Sequence, residues 1–425
     1  MAKEYKDSGI EWIGLIPKEW RIVPFKAYFT TGKGLSFTKA DLTPQGHAVV
    51  SYGQVHSKVN TGTRLDDFLL RYVPDSITAN GESSKMNKGD FIIADTSEDL
   101  EGCGNCVYVD RDIELYAGYH SVTAKPKVQD NNKFFAYYFQ TPCWRSQIRS
   151  RVTGIKVYSI SQSIINQTWL FVPPLLIQQK IADYLDKVCG EADEMIALQE
   201  KMIEELKAYK QSIITEVVTK GLNPNAPMKN SGIDWIGEIP EHWEIIKIGF
   251  IFDNLDYLRR PISAEQRERN NPQYNYYGAS GIIDKIDHYN VDDKVLLIGE
   301  DGANLVTRNL PLVYKAEGKF WVNNHAHILK PKFDDYNYMA FALEAANYRN
   351  YITGSAQPKL SQENLQAVKL PVPPIEEQCQ IASYLDSKCS EIDSLIAIKQ
   401  QKITELKEYK KSVIYEYVTG KKEVV

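Results

Sequence analysis

The segment VPPLLIQQKIADYLD (residues 172–186) returns as VPPIEEQCQIASYLD (residues 372–386), 200 positions later. The match continues without a gap to Thr219 and Thr419. In both copies a Pro-Pro pair opens a long stretch without proline. Proline is tolerated in the first turn of a helix, where its missing N–H would have no partner, and is excluded from the interior. The spacing predicts two helical segments, 173–222 and 373–420, whose proline-free stretches of about 45 residues, to Val218 and Val418, would each span about 65 Å at 1.5 Å per residue. Their apolar positions alternate by four and three. The first seam reads Ala182, Leu185, Cys189, Ala192, Ile196, Ile203, Leu206, Ile213 and Val217. The second reads Ala382, Leu385, Cys389, Ile392, Ile396, Ile403, Leu406, Val413 and Tyr417. That is a heptad seam, broken at matched positions by Gln199/Lys399 and Lys210/Lys410. Polar residues inside a seam fix register and orientation at some cost in stability. Two such helices in one chain are expected to pair. An antiparallel pairing is natural, because the first carries the chain away and the second brings it back.

Working outward, SGIEWIGLIPKEW (8–20) returns as SGIDWIGEIPEHW (231–243), at an offset of 223. The offset falls by 23 between the two blocks, from 223 to 200, so the material between them is shorter in the second half. It is also mostly dissimilar. Short β-branched or aromatic runs, such as HAVVSYG (47–53), GDFIIAD (89–95) and KVLLIGE (294–300), read as strands between Gly, Asn and Asp turns. FFAYYFQTPCWRSQI (134–148), broken near Pro142, and NYMAFALEAANYRNYI (337–352) read as helices. A few residues still correspond inside the inserts: His120 with His325, Lys125-Pro126-Lys127 with Lys330-Pro331-Lys332, and Ser161-Gln162 with Ser361-Gln362. The inserts therefore read as diverged copies of one fold. The expected class is α+β. Globular α/β regions at 1–172 and 231–372 are joined by a long antiparallel coiled coil, with a linker at 223–230 and a pseudo-twofold internal repeat.

Composition bounds the rest. A chain of 425 residues, 43% apolar and 25% charged, is long enough for two or more cores. It has no run of 18 apolar residues and no apolar segment near Met1, so neither a membrane helix nor a secretory signal is expected. Six cysteines form no disulfide framework, and a reducing cytoplasm is the expected compartment. A net charge of −5 argues against tight nucleic-acid binding by the chain alone. The balance is local, however. Between Tyr116 and Val172 lie Lys125, Lys127, Lys133, Arg145, Arg149, Arg151 and Lys156, against Asp130 alone.

No catalytic constellation emerges. Neither an adenine nor a cytosine methyltransferase motif is present, and Gly32-Lys33-Gly34 lacks the spacing of a phosphate-cradling loop. Glu205-Leu206-Lys207 and Glu405-Leu406-Lys407 resemble half of a nuclease motif but fall on the long helices. Cys103-Gly104-Asn105-Cys106 is a lone CxxC without a second ligand pair, and reads as a tight turn. Asp301-Gly302 reads as a turn ending a strand, and His120 and His325 as core or turn residues. Lack of chemistry with duplicated domains favours a binding subunit. A second apolar row on the first helix, including Met195, Met202 and Tyr209, points to a further helical partner. Gln178/Gln378 and other identities off the seam point to two equivalent docking surfaces, with Tyr409 on the second helix.

At this point the SGIxWIGxIPxxW opening, the VPPxxEQxxIAxYLD junction and the final ELKEYKKSVIYEYVTGK resemble the specificity subunits of type I restriction–modification systems. The resemblance covers both halves and all four frame segments. The first junction departs from it, with Ile177 where the second has Glu377. The resemblance implies two target-recognition domains, each reading one half of a split, asymmetric sequence in double-stranded DNA. It implies that the chain itself is not an enzyme and binds no cofactor. Two adenine methyltransferase subunits using S-adenosylmethionine would dock on the helices, and two restriction subunits using ATP and Mg²⁺ would join them. Bases are read by donor and acceptor patterns, chiefly in the major groove. The candidates for this are Tyr52, Lys85, Lys156 and Tyr158 in the first domain, and Tyr277, Arg308, Gln357 and Lys359 in the second. The subunit-interface candidates are Gln178, Met195, Met202, Tyr209, Gln378 and Tyr409. The competing readings are a non-catalytic coiled-coil interaction scaffold, and a specificity subunit of a restriction system that is not type I.

Overall fold

The computed structural model describes residues 4–10, 13–127, 131–263, 267, 273–354 and 358–424. The chain forms two compact units: Met1–Gln199 with Gln401–Val425, and Glu200–Gln400. The long helices run Leu175–Lys220 and Ile375–Val418. Each helix gives one half to each unit. Among the described residues no helix is long and apolar enough to cross a membrane.

The seam is the spine of both units. In the first, Cys189, Ala192, Ile196, Ile403, Leu406 and Val413 are buried; in the second, Ile203, Val217, Leu385, Cys389 and Ile392 are buried. Pairing within each unit is antiparallel. In the first unit Tyr184 packs on Tyr417 while Lys410 reaches Asp193. In the second, Lys399 Nζ lies 3.5 Å from Met202 Sδ, and Lys210 Nζ donates to Asp393 at 2.7 Å. The lysines that interrupt the apolar pattern are thus answered by two aspartates that are themselves 200 positions apart. A slip of one turn would separate each pair, which is how a polar seam position selects one register.

The repeated frames meet where each long helix starts. In the first unit Arg21–Pro24 pairs antiparallel with Trp169–Val172. In the second, Glu244–Lys247 pairs in the same way with Lys369–Val372. The strand after each repeated tryptophan is thereby laced to the strand before each Pro-Pro pair. Trp20 and Trp243 are buried beneath these ladders. The helix ends close on the same rings. Gly420 (φ +69°) ends the second helix beside Pro17 and Trp20, where a Cβ would lie 2.5 Å from Pro17 Cγ. Gly221 (φ +74°) ends the first helix against Trp243. A left-handed C-terminal residue favours glycine, and here the space favours it too.

Gln178 and Gln378 hold each domain to its helix. Gln178 Oε1 accepts the N–H of Asn131 at 3.1 Å, and its Nε2 donates to Pro173 O at 2.9 Å. Gln378 Oε1 accepts the N–H of Asp335 at 2.8 Å, and its Nε2 donates to Pro373 O at 2.9 Å. Asn131 and Asp335 are the N-caps of matched domain helices, Asn132–Tyr138 and Tyr336–Ala345. Both glutamines are buried. The expectation that they face a partner subunit is therefore corrected: they face their own domain.

The inserts differ more than the frames do. The first unit has two four-stranded sheets. One, in the order Cys106–Tyr108, Phe91–Ala94, Ser121–Pro126 and Phe29–Lys33, is antiparallel throughout. The other contains one parallel pair, His47–Val50 with Leu115–Ala117. The second unit has a single six-stranded sheet, in the order Phe252–Asn254, Ala326–Pro331, Val291–Gly299, Val313–Val322, Tyr274–Gly278 and Gly281–Ile286. Its strands Val291–Gly299 and Ala326–Pro331 correspond to Phe91–Ala94 and Ser121–Pro126 of the first unit.

The Ile177/Glu377 departure has a local consequence. Glu377 accepts from Trp243 Nε1 at 3.0 Å, and His242 Nε2 lies 2.6 Å from its other oxygen. Ile177 has no acceptor to offer, and the indole N–H of Trp20 is buried with no partner among the described residues. A buried unpaired donor costs about 1–3 kcal/mol. In urea denaturation Glu377→Ile should destabilise the second unit by about that amount, and Ile177→Glu should stabilise the first. No change in either variant would show that the acceptor is immaterial.

Candidate nucleic-acid interface

One corner of the first unit gathers polar and aromatic side chains around a clamped turn. The chain leaves the central strand Phe91–Ala94 at Asp95 and forms Thr96–Ser97, which pairs with Tyr158–Ser159. Tyr158–Ser159 closes a tight turn, in which Thr153 bridges Ser159. Gly154 is required there, because a Cβ would lie 2.1 Å from Val157 O. The Ile160 N–H donates to Asp95 O at 2.7 Å, tying the turn to the end of the sheet. Ile155, Lys156 and Val157 stand exposed at its tip.

Beside the turn, His120 (φ 52°) leads into the strand Ser121–Pro126, and its Nδ1 lies 3.4 Å from Asp95 Oδ1. Lys33, Phe37, Tyr119, His120 and Gln162 border a cleft of about 740 Å³. A second cleft of about 550 Å³ lies across Thr96–Ser97 and holds Tyr52, His56, Glu98 and Asp99. Tyr52 donates to Glu98 Oε1 at 3.1 Å. Partial burial and the facing carboxylate raise its phenol above the ordinary value, so it is a protonated donor at neutral pH. Gly34 passes so close to Gly118 that a Cβ would sit 1.9 Å from the Gly118 carbonyl oxygen. Close backbone packing is therefore the role of the second glycine of Gly32-Lys33-Gly34.

The second unit builds the same corner from different residues. Asp301 bridges Lys359, the Leu360 N–H donates to Glu300 O at 2.9 Å, and His325 Nδ1 lies 3.4 Å from Asp301 Oδ1. Behind this surface runs a chain of charges. Lys359 pairs with Glu300 at 3.2 Å, Glu300 with Arg259 at 3.0 Å, and Arg259 with Asp256 at 3.4 Å. His327 Nδ1 lies 2.6 Å from Asp256 Oδ2, and its Nε2 lies 2.8 Å from Leu360 O. Burial pushes the Asp256 carboxyl up. The His327 hydrogen bond and charge, the Ile328 amide and Arg259 outweigh it, and the pKa falls below the ordinary value.

The structure sorts the sequence candidates. Tyr52 and Tyr158 both adjoin Ser97, and Lys156 stands at the turn tip without an ion pair among the described residues. Lys85 belongs to the other sheet, beside Tyr116, with Glu82 at 4.0 Å. Lys359 lies in the matching corner of the second unit, and Gln357 falls outside the described residues. Two candidates are corrected. Tyr277 is buried in the core, its ring edge-on to Phe320, because it points to the inner face of its strand. Arg308 donates to the carbonyl oxygens of Glu344 at 2.7 Å and of Ala345 and Ala346, closing the end of the helix Tyr336–Ala345. The residues that the sequence reading missed are Phe37, Tyr119 and the His–Asp pairs. Their signal was the survival of His120 and His325 inside diverged inserts.

On the long helices Met195, Tyr209 and Tyr409 are exposed, whereas Met202 is half-buried. The structure adds Leu198, Leu395 and Ile398. Exposure is matched at an offset of 200: Met195 50% and Leu395 47%, Leu198 55% and Ile398 63%, Tyr209 57% and Tyr409 48%. The sequence signal was present in these apolar pairs off the seam. Glu205 and Lys207 make surface pairs with Lys201 and Glu204 along their own helix. Cys103 and Cys106 are buried, and burial pushes the Cys106 thiol up to about 11.

The profile of the type I restriction modification DNA specificity domain matches residues 17–208 and 240–408. The chain belongs to this family of type I specificity subunits. It is 25% identical over 434 aligned residues to a chain of Methanocaldococcus jannaschii, provisionally named the MjaX type I restriction enzyme specificity subunit, and covers 96% of this chain and 95% of that one. It is 23% identical to the MjaVIII specificity subunit of the same organism over 327 residues, 70% of this chain and 71% of that one. The fold is also that of a solved chain described under complex assembly and conformational transition of the type I R-M system. The TM-score there is 0.70 at 15% identity, over 95% of this chain and 99% of that one. The HsdS subunit from Thermoanaerobacter tengcongensis aligns with a TM-score of 0.50 at 16% identity, over 97% and 99%.

In chemical denaturation Arg308→Ala should cost the second unit about 1–3 kcal/mol and leave DNA affinity of the folded protein unchanged. A variant with full stability and weakened DNA binding would return Arg308 to the DNA-facing set.

Proposed function

We propose that each unit reads one half of a bipartite, asymmetric DNA site, and that the long helices set the spacer between the halves and dock two methyltransferase subunits. The observation that carries this reading is the division between what repeats and what does not. The ladders, glutamine bridges, seam and crossed Lys–Asp pairs recur at fixed offsets. The sheets behind the two candidate corners differ in strand number and order. A scaffold kept constant around two different surfaces suits two different half-sites.

Within each corner the side chains suit base-edge reading. Lys156, Tyr52 and Lys359 are donors, while Glu98 and Asp99 can accept from the amino groups of cytosine or adenine. Each unit also carries one set of the matched exposed apolar residues: Met195, Leu198 and Tyr409 in the first, and Tyr209, Leu395 and Ile398 in the second. Two equivalent patches suit two copies of one partner. In this reading the chain is non-catalytic and binds no cofactor. S-adenosylmethionine belongs to the methyltransferase subunits, and ATP with Mg²⁺ to two restriction subunits.

Lys156→Ala and Lys359→Ala should each lower affinity for cognate duplex, measured with the methyltransferase assembled, by about tenfold; unchanged binding by both would remove these residues from the reading surface. Inserting one heptad into both long helices should lengthen the spacer while preserving both half-sites, read by sequencing methylated adenines. An unaltered spacer would refute the ruler.

A further inference from the structure

We propose that the tip of the clamped turn in the first unit is a wedge, with Ile155 entering the base stack of bound duplex beside the base edge that Lys156 contacts. This rests on the reading of that unit as a DNA reader. Ile155 is 98% exposed and Val157 53%. Single apolar residues on a surface need no explanation, but three features set this one apart. The first is rigidity. The Thr153–Ser159 bridge, the ladder of Tyr158–Ser159 on Thr96–Ser97 and the Ile160–Asp95 hydrogen bond fix the base of the turn. Gly154 then lets the backbone fold tightly under the tip. The exposed side chain is therefore held out, and its ordering cost is met before any ligand arrives.

The second feature is the alternation Ile-Lys-Val, which puts one cation between two β-branched apolar groups. Proteins that kink a duplex insert apolar side chains between base steps and read the adjoining groove with basic and amide residues. The third is charge. Residues 131–182 contain no Asp or Glu; of the cations there, Arg151 and Lys156 are exposed next to or at the tip, whereas Lys133 pairs with Asp186 and Arg145 is held by Phe139 O and Gln140. Asp95 and Glu98 flank Thr96–Ser97, the segment to which the turn is clamped. A tip carried by an acid-free basic segment favours a polyanion over a protein surface.

The test uses the chain assembled with its methyltransferase subunits, and cognate duplexes with one 2-aminopurine at successive positions of each half-site. The expected result is enhanced fluorescence at one step of one half-site, away from the methylated base, for wild type and Ile155→Leu but not for Ile155→Ser. Ile155→Ser should bind the intact duplex about tenfold more weakly, and the deficit should shrink on a duplex mismatched at that step, where unstacking costs less. Tight cognate binding with no enhancement at any such step would overturn the wedge and leave the proposed function standing. Failure of Ile155→Ser to assemble with the methyltransferase would overturn it too, by making the tip a protein contact. Failure of the wild-type assembly to bind any duplex would remove the DNA-reading function itself.

Discussion

The buried seam between the two long helices is the constraint on which the other features depend. Its apolar positions need cover along their whole length, and each unit provides it by pairing half of one helix with half of the other. The lysines within it make the pairing specific. Lys410 and Lys210 find Asp193 and Asp393, and a slip of a single turn would lose both pairs. Because the helices are placed in this way, each domain can be fastened at a helix start by Gln178 or Gln378 and share its apolar core with the helix pair.

The fastening explains why the frames repeat while the inserts do not. A ladder of four residue pairs, one buried glutamine and a shared apolar cluster hold each domain to its helix. The ladder and the glutamine use backbone and near-terminal side chains, so they place few demands on the sheets beyond. Two four-stranded sheets and one six-stranded sheet satisfy the same attachment. What survives in both inserts is the corner where a histidine meets an aspartate beside the clamped strand pair.

The helices were legible from sequence because a heptad period over such length has no competing explanation, and the seam is buried where the period places it. Residues off the seam were harder to read. Identity at Gln178 and Gln378 fits a partner or the chain's own domain equally well, and only burial separates the two. Exposed matched pairs such as Leu198 and Ile398 passed unnoticed beside Met195. Within the inserts, strands were readable but their faces were not. Tyr277 looked available for DNA and is core, and Arg308 looked like a base reader and closes a helix. Lys156 could be recognised as a turn residue from the glycine before it, whereas its support from Asp95 comes from a strand about sixty residues earlier and has no local signature.

The make-up of the two units also orders their formation. The second unit is one continuous stretch, Glu200–Gln400, whereas the first needs Gln401–Val425 to complete it. Val413, Ile414 and Val418 belong to the first unit's core, together with Ile181, Leu185 and Cys189. During synthesis the earlier domain therefore emerges with one flank of its helix bare, and that flank stays uncovered until Val413, Ile414 and Val418 leave the ribosome. Contacts separated by more than 200 residues close slowly, and exposed apolar surface in the interval invites aggregation. The later-made half can reach its native state first, and the earlier-made half is the one with more to gain from a chaperone or from a partner already waiting.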